Sequence, residues 1–172
     1  MTSLNGIWLP LITPFRDDRL DEVSLRRMIR HYAAAAVDGF ADATTRPILI
    51  YNIPYRSGVN LCNDTMPRLA ERGNIVGVKD CCADATQSFD LSRARPPEFA
   101  VLTGEDALFY TALTQGADGG ILASAHIQTR SFAAVRDMLL RGGQQAALAA
   151  WQQLVDLPRL LFAEPSPAPI KH

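Results

Sequence analysis

Short apolar runs rich in Val, Ile and Leu recur along the chain. Each is only a few residues long and lacks a regular alternation of apolar and polar positions, which is typical of parallel strands buried on both faces. The pattern predicts five strands, which run from Trp8 to Thr13, Pro47 to Asn52, Ile75 to Lys79, Ala100 to Thr103 and Gly120 to Ser124.

Helical patterns separate most of these runs. Apolar residues recur at helical spacing, and acidic residues before a segment or glycines after it indicate where a helix begins or ends. Five helices are predicted. The first contains Leu25, Met28, Ile29 and Tyr32, and the second runs from about Asp64 to Arg72. The third extends from Glu105 and Asp106 toward Gly116, the fourth covers Phe132 to Leu140, and the fifth covers Gln144 to about Phe162. The proline-rich tail EPSPAPIKH is expected to be irregular.

Strands that alternate with helices at intervals of roughly 20 to 30 residues predict βα units with right-handed crossovers. The fold class is therefore α/β, with a parallel sheet and helices outside it. Two architectures fit this pattern, a β/α barrel and an open doubly wound sheet. No GxGxxG or GxxxxGK[ST] motif follows a predicted strand, so the phosphate-binding versions of the open sheet have no support.

The composition is that of an ordinary globular domain, with 48% hydrophobic and 20% charged residues among 172. The formal net charge is -1 and the 17 Lys and Arg residues are spread along the chain, so neither nucleic acid nor an anionic membrane is an expected partner. No apolar segment approaches the roughly 20 residues of a membrane span. The expected partner is a small molecule or another protein chain, and the expected location is the cytoplasm.

Three cysteines, Cys62, Cys81 and Cys82, fit neither a disulfide framework nor a CxxC metal spacing. They are expected to be reduced thiols that act as small buried or half-buried side chains. His31, His126 and His172 lack partner spacings that would indicate a catalytic triad or a metal site.

Polar residues that end apolar runs are the candidates for chemistry, because ligands of α/β folds bind at the carboxyl ends of strands. Tyr51 and Lys79 both lie at such ends. A lysine in a partly apolar pocket can present a neutral amine that attacks a ketone to form an imine, and a tyrosine hydroxyl can relay protons. The alternative is that Lys79 extends into solvent and Tyr51 only packs its ring. Two interpretations of Arg56 are equally open: it binds a carboxylate through a bidentate pair of hydrogen bonds, or it is a solvent-exposed charge in a loop.

Two segments resemble a known family. The sequence from Tyr51 to Gly58, YNIPYRSG, is similar to the YNxPxRxG signature of dihydrodipicolinate synthases, and VGVKD, from Val76 to Asp80, resembles their Schiff-base strand. Further similar segments run from Gly6 to Phe15, Leu102 to Asp106, Gly119 to Ser124 and Phe162 to Pro165. The chain thus resembles the dihydrodipicolinate synthase and N-acetylneuraminate lyase family of pyruvate-dependent class I aldolases.

The resemblance implies a role for each site residue. Lys79 forms the imine with pyruvate, Tyr51 relays protons, and Arg56 holds a carboxylate of the incoming aldehyde. Gly104 and Ile121 line the pyruvate pocket with backbone groups. Arg56 favours the dihydrodipicolinate synthase branch, whose aldehyde is aspartate semialdehyde, over the sialic-acid lyases. The resemblance implies no metal or organic cofactor.

The chain is roughly 80 residues shorter than a complete (β/α)8 barrel of about 250 residues. By the same resemblance, residues 1–40 correspond to the first βα unit and residues 41–172 to the fifth through eighth units and the start of the C-terminal helices. The resemblance therefore predicts an incomplete TIM barrel that lacks about three central βα units. The first and fifth units are joined near Phe40, and the family's C-terminal helices beyond Lys171 are also expected to be absent. The absent part includes the GTTGE loop for the pyruvate carboxylate and a second relay tyrosine. Thr44 and Thr45 precede a strand and lack the flanking glycines, so they do not replace that loop.

Two function classes remain open from the sequence. The first is a lyase that condenses pyruvate with aspartate semialdehyde, impaired by the shortened chain, or a related 2-keto acid aldolase or dehydratase. The second is a catalytically inactive barrel remnant or association module. A homo-oligomer is expected in either case, because an open parallel sheet exposes edges and apolar faces.

Overall fold

The computed structural model describes residues 15–16, 19–20, 45, 47–164 and 169. The predicted strand from Trp8 to Thr13, the predicted helix around Met28 and the predicted junction near Phe40 lie outside the described residues. None of the helices in the described part of the chain combines the length and the apolar character that a membrane crossing requires.

The described residues form two sheets. The first is an antiparallel pair of β1 (Phe15–Arg16) and β2 (Arg19–Leu20), with Phe15 opposite Leu20. The second has four strands in the spatial order β3-β4-β5-β6, which are Ile48–Asn52, Ile75–Asp80, Ala100–Thr103 and Gly119–Gly120. Its strands follow one another in chain order, which is the arrangement expected of successive βα units.

One compact unit comprises residues 1–78 and 95–100. It contains the short helices α1 (Pro54–Ser57) and α2 (Thr65–Ala70). Proline suits the first position of α1 because that position needs no amide hydrogen, and Gly58 ends the helix with a left-handed φ of 74°. Met66 of α2 is buried in the core of this unit.

The other unit comprises residues 79–94 and 101–172 and contains most of the helices. These are α3 (Ala85–Ala94), a 3-10 turn (Asp106–Leu108), α4 (Phe109–Thr114), α5 (Ala125–Leu140), α6 (Gln144–Gln152) and α7 (Asp156–Leu161). Its core is a cluster of Phe109, Phe132, Val135, Trp151 and Leu154. The three aromatic ring centroids lie between 5.5 and 6.1 Å apart in tilted or edge-to-face arrangements, a favourable geometry for aromatic packing.

Strand boundaries agree with the sequence prediction for β5 and closely for β3 and β4. The last strand was predicted wrongly, since it begins at Gly119 and ends at Gly120 instead of continuing to Ser124. The Ile121 amide still donates to the Thr103 carbonyl, but Ser124 is hydrogen-bonded to Asp106 and lies outside the strand.

Two helix predictions also need correction, and one longer helix was not predicted. α5 begins at Ala125, earlier than the predicted Phe132, and has a kink at Gln128. The predicted helix from Gln144 to Phe162 is two helices, α6 and α7, because the Pro158 ring would clash with the carbonyl of Leu154 in a continuous helix. α3 was not predicted by its apolar spacing.

Candidate active site

Lys79 lies one residue before the carboxyl end of β4 and is half-buried. The ends of β4 and β5 are held together there, because the Gly104 amide donates a 2.7 Å hydrogen bond to the Asp80 carbonyl. The predicted Schiff-base lysine and the predicted pocket residue Gly104 therefore share one edge of the sheet.

Gly104 packs directly against the lysine side chain. A methyl group added at Gly104 would overlap both Cys81 Sγ and Lys79 Cε, and it would lie 3.0 Å from Lys79 Cγ. Only glycine fits this close approach without displacing its neighbours. The aliphatic stem of Lys79 is thus held in place by the backbone of Gly104 on one side.

Ile121 follows β6 and continues the backbone pairing of that strand. The Ile121 amide donates a 2.9 Å hydrogen bond to the Thr103 carbonyl, and Ile121 is 42% exposed. The amides of Gly104 and Ile121 are both used within the sheet, so their carbonyls are the backbone groups that could contact a ligand.

Asp80, the last residue of β4, anchors the end of the strand that contains Lys79. Its carboxylate is buried and accepts a 2.5 Å hydrogen bond from Ser88 Oγ of α3 and a 3.2 Å hydrogen bond from the Cys82 amide. Burial raises the pKa of the Cys82 thiol, and the negative charge of Asp80 and a hydrogen bond with its side chain add to that increase, whereas hydrogen bonds with the Ser88 side chain and the Asp84 backbone oppose it. These bonds connect the strand end to the first turns of α3.

A second buried network joins the segments that follow β5 and β6. The Ser124 amide and hydroxyl both donate to Asp106 Oδ1 at 2.6 Å, and the two residues are almost completely buried. This pair fixes the turn after Gly104 relative to the turn after Ile121. The sequence analysis did not identify it, although an Asp two residues after a strand-ending glycine is a usable signal.

The segment YNIPYRSG comprises the end of β3, Ile53, α1 and the Gly58 that ends this helix, and several of its polar side chains are hydrogen-bonded. Buried Asn52 donates to Asn60 Oδ1 at 3.0 Å and accepts from the Leu61 amide at 3.1 Å. Ser57 Oγ donates to the carbonyls of Ile53 and Val59. These bonds give the polar residues of the motif a structural role that the resemblance alone did not provide.

Tyr51, in β3, and Arg56, in α1, are the two residues of this segment with proposed chemical roles. Tyr51 is 37% exposed, and Arg56 is exposed with its guanidinium carbon 5.9 Å from the centroid of the Tyr55 ring. This stacking orients a planar cation whose edges stay accessible to a carboxylate. Their catalytic and binding roles stay predictions.

The three cysteines are thiols with different environments. Cys81 is buried and Cys82 half-buried, as predicted, but Cys62 is exposed. Cys62 lies in the irregular segment between α1 and α2, and such connections run over the surface. Within the described ranges, no group of three or more His, Cys, Asp or Glu side chains is arranged to hold a metal ion.

A separate small cavity of about 20 Å³ lies beside Asp80, and Lys79 is not among its lining residues. Its polar lining includes Ser88, Thr103 and Gln115. This volume accommodates roughly one water molecule, so the cavity is too small for a substrate. Close to the site, Glu105 Oε1 is buried and receives no hydrogen bond from the described residues.

Comparison with known proteins identifies related sequences. A sequence model of the dihydrodipicolinate synthetase family matches residues 38–172. The chain is 32% identical over 253 aligned positions to 4-hydroxy-tetrahydrodipicolinate synthase 2 of Clostridium acetobutylicum, covering 99% of this chain and 88% of the relative. Because 253 positions exceed the 172 residues of the chain, the relative has a long segment without a counterpart here.

Other relatives match only in part. The 4-hydroxy-tetrahydrodipicolinate synthase of Limosilactobacillus fermentum is 40% identical over 146 residues, which is 85% of this chain and 45% of the relative. The crystal structure of the chloride-inhibited dihydrodipicolinate synthase of Acinetobacter baumannii, complexed with pyruvate, matches with a TM-score of 0.72 and 34% identity over 85% of this chain and 48% of that one. The chain thus spans about half the length of most of these relatives. The structural matches are (β/α)8 barrels, which confirms the predicted incomplete barrel over an open doubly wound sheet.

Proposed function

Because the chain belongs to the dihydrodipicolinate synthetase family, as its motifs predicted, we propose that it is a pyruvate-dependent class I aldolase. In this proposal Lys79 Nζ attacks the C2 carbonyl of pyruvate, and loss of water leaves an iminium ion. Removal of a proton from C3 gives an enamine, which attacks the aldehyde carbon of aspartate semialdehyde, and the aldehyde oxygen takes up a proton. The amino group of the aldehyde substrate then attacks the imine carbon, which closes the ring and releases Lys79 as the free amine. The reaction is that of a 4-hydroxy-tetrahydrodipicolinate synthase.

The observation that carries the proposal is the setting of Lys79 at the end of β4 against Gly104. The lysine stem is confined, so its amine has a restricted set of positions from which to attack a ketone. The chain has only two lysines, Lys79 and Lys171, so few other amines could serve. A single ordered lysine at a strand end fits a Schiff-base role better than a general surface role.

The other site residues have supporting roles in the proposal. Tyr51 relays protons to and from the pyruvate-derived carbons, and Arg56 binds the carboxylate of the aldehyde substrate. The carbonyls of Gly104 and Ile121 line the pyruvate pocket. The exposure of Tyr51 and Arg56 agrees with contact to a ligand.

We expect the activity to be low. The sequence contains no GTTGE segment, which in the family supplies hydrogen-bond donors for the pyruvate carboxylate. Loss of one preorganised donor can reduce a rate by about 100-fold to 1,000-fold. Pyruvate-dependent consumption of aspartate semialdehyde should therefore be much slower than that of a complete family member, and comparable kcat/KM values would contradict this expectation.

Borohydride trapping tests the proposal. The purified chain is incubated with pyruvate, reduced with borohydride and measured by intact mass and peptide mass spectrometry. We expect one pyruvate-derived adduct on the peptide that contains Lys79. Lys79→Arg should abolish it, because a guanidinium keeps the charge but forms no imine, whereas the matched variant Lys171→Arg should retain it. An adduct that persists in Lys79→Arg, or none in the wild type, would refute the proposal.

An inactive remnant or association module is the alternative. It is favoured by the long segment of the relative that has no counterpart in this chain, and by the large exposure of Leu140 and Leu160, each 70% exposed. Exposed apolar side chains favour association, and a homo-oligomer is part of both proposals. The trapping experiment separates them, since the remnant forms no adduct specific to Lys79.

A further inference from the structure

Two side chains near the carboxyl end of β4 fill the same space in front of Gly104. A methyl group added to Gly104 would overlap both Cys81 Sγ and Lys79 Cε, so these two atoms are close to van der Waals contact with each other. Residues 79 and 81 are two positions apart, a spacing that puts side chains on one face of an extended segment. Cys81 is 1% exposed, so its sulfur is enclosed by protein atoms.

The imine carbon of a bound 2-oxo acid would be only two covalent bonds from Lys79 Cε. Its substituents therefore occupy the space around the end of the lysine stem, and Cys81 Sγ already fills part of that space. Resting on the function proposed above, we infer that Cys81 determines which 2-oxo acids form the imine. The thiol leaves room for the methyl group of pyruvate and excludes longer side chains.

The neighbouring thiol provides a matched control. Cys82 Sγ lies 3.4 Å from Asp80 Oδ2 and 3.4 Å from Ser88 Oγ, toward α3. Removal of the Cys82 sulfur is therefore expected to leave the space around Lys79 Cε unchanged. Both substitutions remove the same atom type at adjacent positions, so their difference isolates the contact with Lys79.

The experiment compares two 2-oxo acids within each variant of the full chain. Wild type, Cys81→Ala, Cys81→Ser, Cys81→Val and Cys82→Ala are each incubated with pyruvate or with 2-oxobutyrate, reduced with borohydride and measured by mass. The readout is the ratio of 2-oxobutyrate adduct to pyruvate adduct at Lys79. Because the ratio is taken within one variant, a loss of folded protein cancels.

We expect Cys81→Ala to raise this ratio by about 10-fold, which is the lower end of the discrimination that one methylene gives in a close-fitting pocket. Cys81→Ser should stay near the wild-type ratio because a hydroxyl fills similar space, and Cys81→Val should lower it. Cys82→Ala should match the wild type.

Two results would overturn the inference while leaving the proposed function intact. One is a pyruvate adduct at Lys79 with an unchanged ratio in both Cys81→Ala and Cys81→Val. The other is an equal increase in Cys81→Ala and Cys82→Ala, which would indicate general loosening of the strand end. Absence of any adduct at Lys79 in every protein would overturn both the inference and the proposed function.

Discussion

Gly104→Ala tests whether the packing around Lys79 matters for its chemistry. The added methyl would overlap Cys81 Sγ and Lys79 Cε, so the lysine stem or the turn after β5 must move. Overpacking of this kind costs about 1–3 kcal/mol of unfolding free energy. A displacement of the reacting amine by about 1 Å can reduce a rate by roughly 100-fold. We expect both effects at similar size, because a roughly 100-fold loss of rate corresponds to about 2.7 kcal/mol of activation free energy.

The assay measures urea unfolding and the initial rate of pyruvate adduct formation on the same preparations. Gly73→Ala is the matched control, because the same methyl group at Gly73 meets no atom within 4 Å. The double variant with Cys81→Ala removes one of the two overlapping atoms and should recover part of the stability. If Gly104→Ala formed the adduct as fast as Gly73→Ala and were equally stable, the close approach of Gly104 to Lys79 would be unimportant.

Two further predictions concern the buried networks of the site. Ser124→Ala leaves Asp106 without its hydroxyl donor, and urea unfolding should show a loss of about 1–3 kcal/mol of unfolding free energy. A loss within the roughly 0.5 kcal/mol of a surface substitution would contradict a stabilising role for this buried pair. Because burial and the Asp80 charge raise the pKa of the Cys82 thiol, its iodoacetamide alkylation should accelerate only at a pH above the usual thiol range. Asp80→Asn should shift that profile to lower pH, and an unchanged profile would exclude the charge effect.

The strands that the sequence predicted best are those with continuous apolar runs and clear stops. β5 has the predicted limits because its apolar residues are bounded by Pro96 and Pro97 before the strand and by Gly104 after it. β6 did not follow its apolar pattern, since Ser124 is drawn into hydrogen bonds with Asp106, a partner 18 residues away. Local patterns contain no information about such distant bonds.

α3 shows a different limit of the sequence analysis. Its only buried residue is Leu91, so it has too few apolar positions for a helical period to stand out. Its start is set instead by Asp84, whose carboxylate accepts hydrogen bonds from the amides of Thr86 and Gln87. Asp84 is therefore a capping signal in a segment where apolar spacing gives none.

The candidate site was predicted in part from strand ends and in part from family resemblance. Strand-end reasoning identified Lys79 and the resemblance identified Gly104, and the structure brings these two together. Cys81 was interpreted only as a small buried side chain, because a pattern gives burial but not the identity of the neighbour. The two-residue spacing of Lys79 and Cys81 indicates a shared face, but their approach to Gly104 depends on the turn after β5, and no spacing along the chain specifies that turn.

The contacts that hold Lys79 also bear on how much chemistry a shortened barrel can retain. The lysine stem packs against Gly104, the Cys81 sulfur lies beside the same glycine, and a hydrogen bond from Ser88 to Asp80 anchors the end of β4. All five residues belong to the same compact unit of residues 79–94 and 101–172, so this part of the lysine's setting does not require the family's GTTGE loop. Condensation requires more, since the pyruvate carboxylate and the aldehyde must also be held in position. Imine formation and turnover are therefore separable properties of this chain, and weak turnover would not argue against an intact imine site.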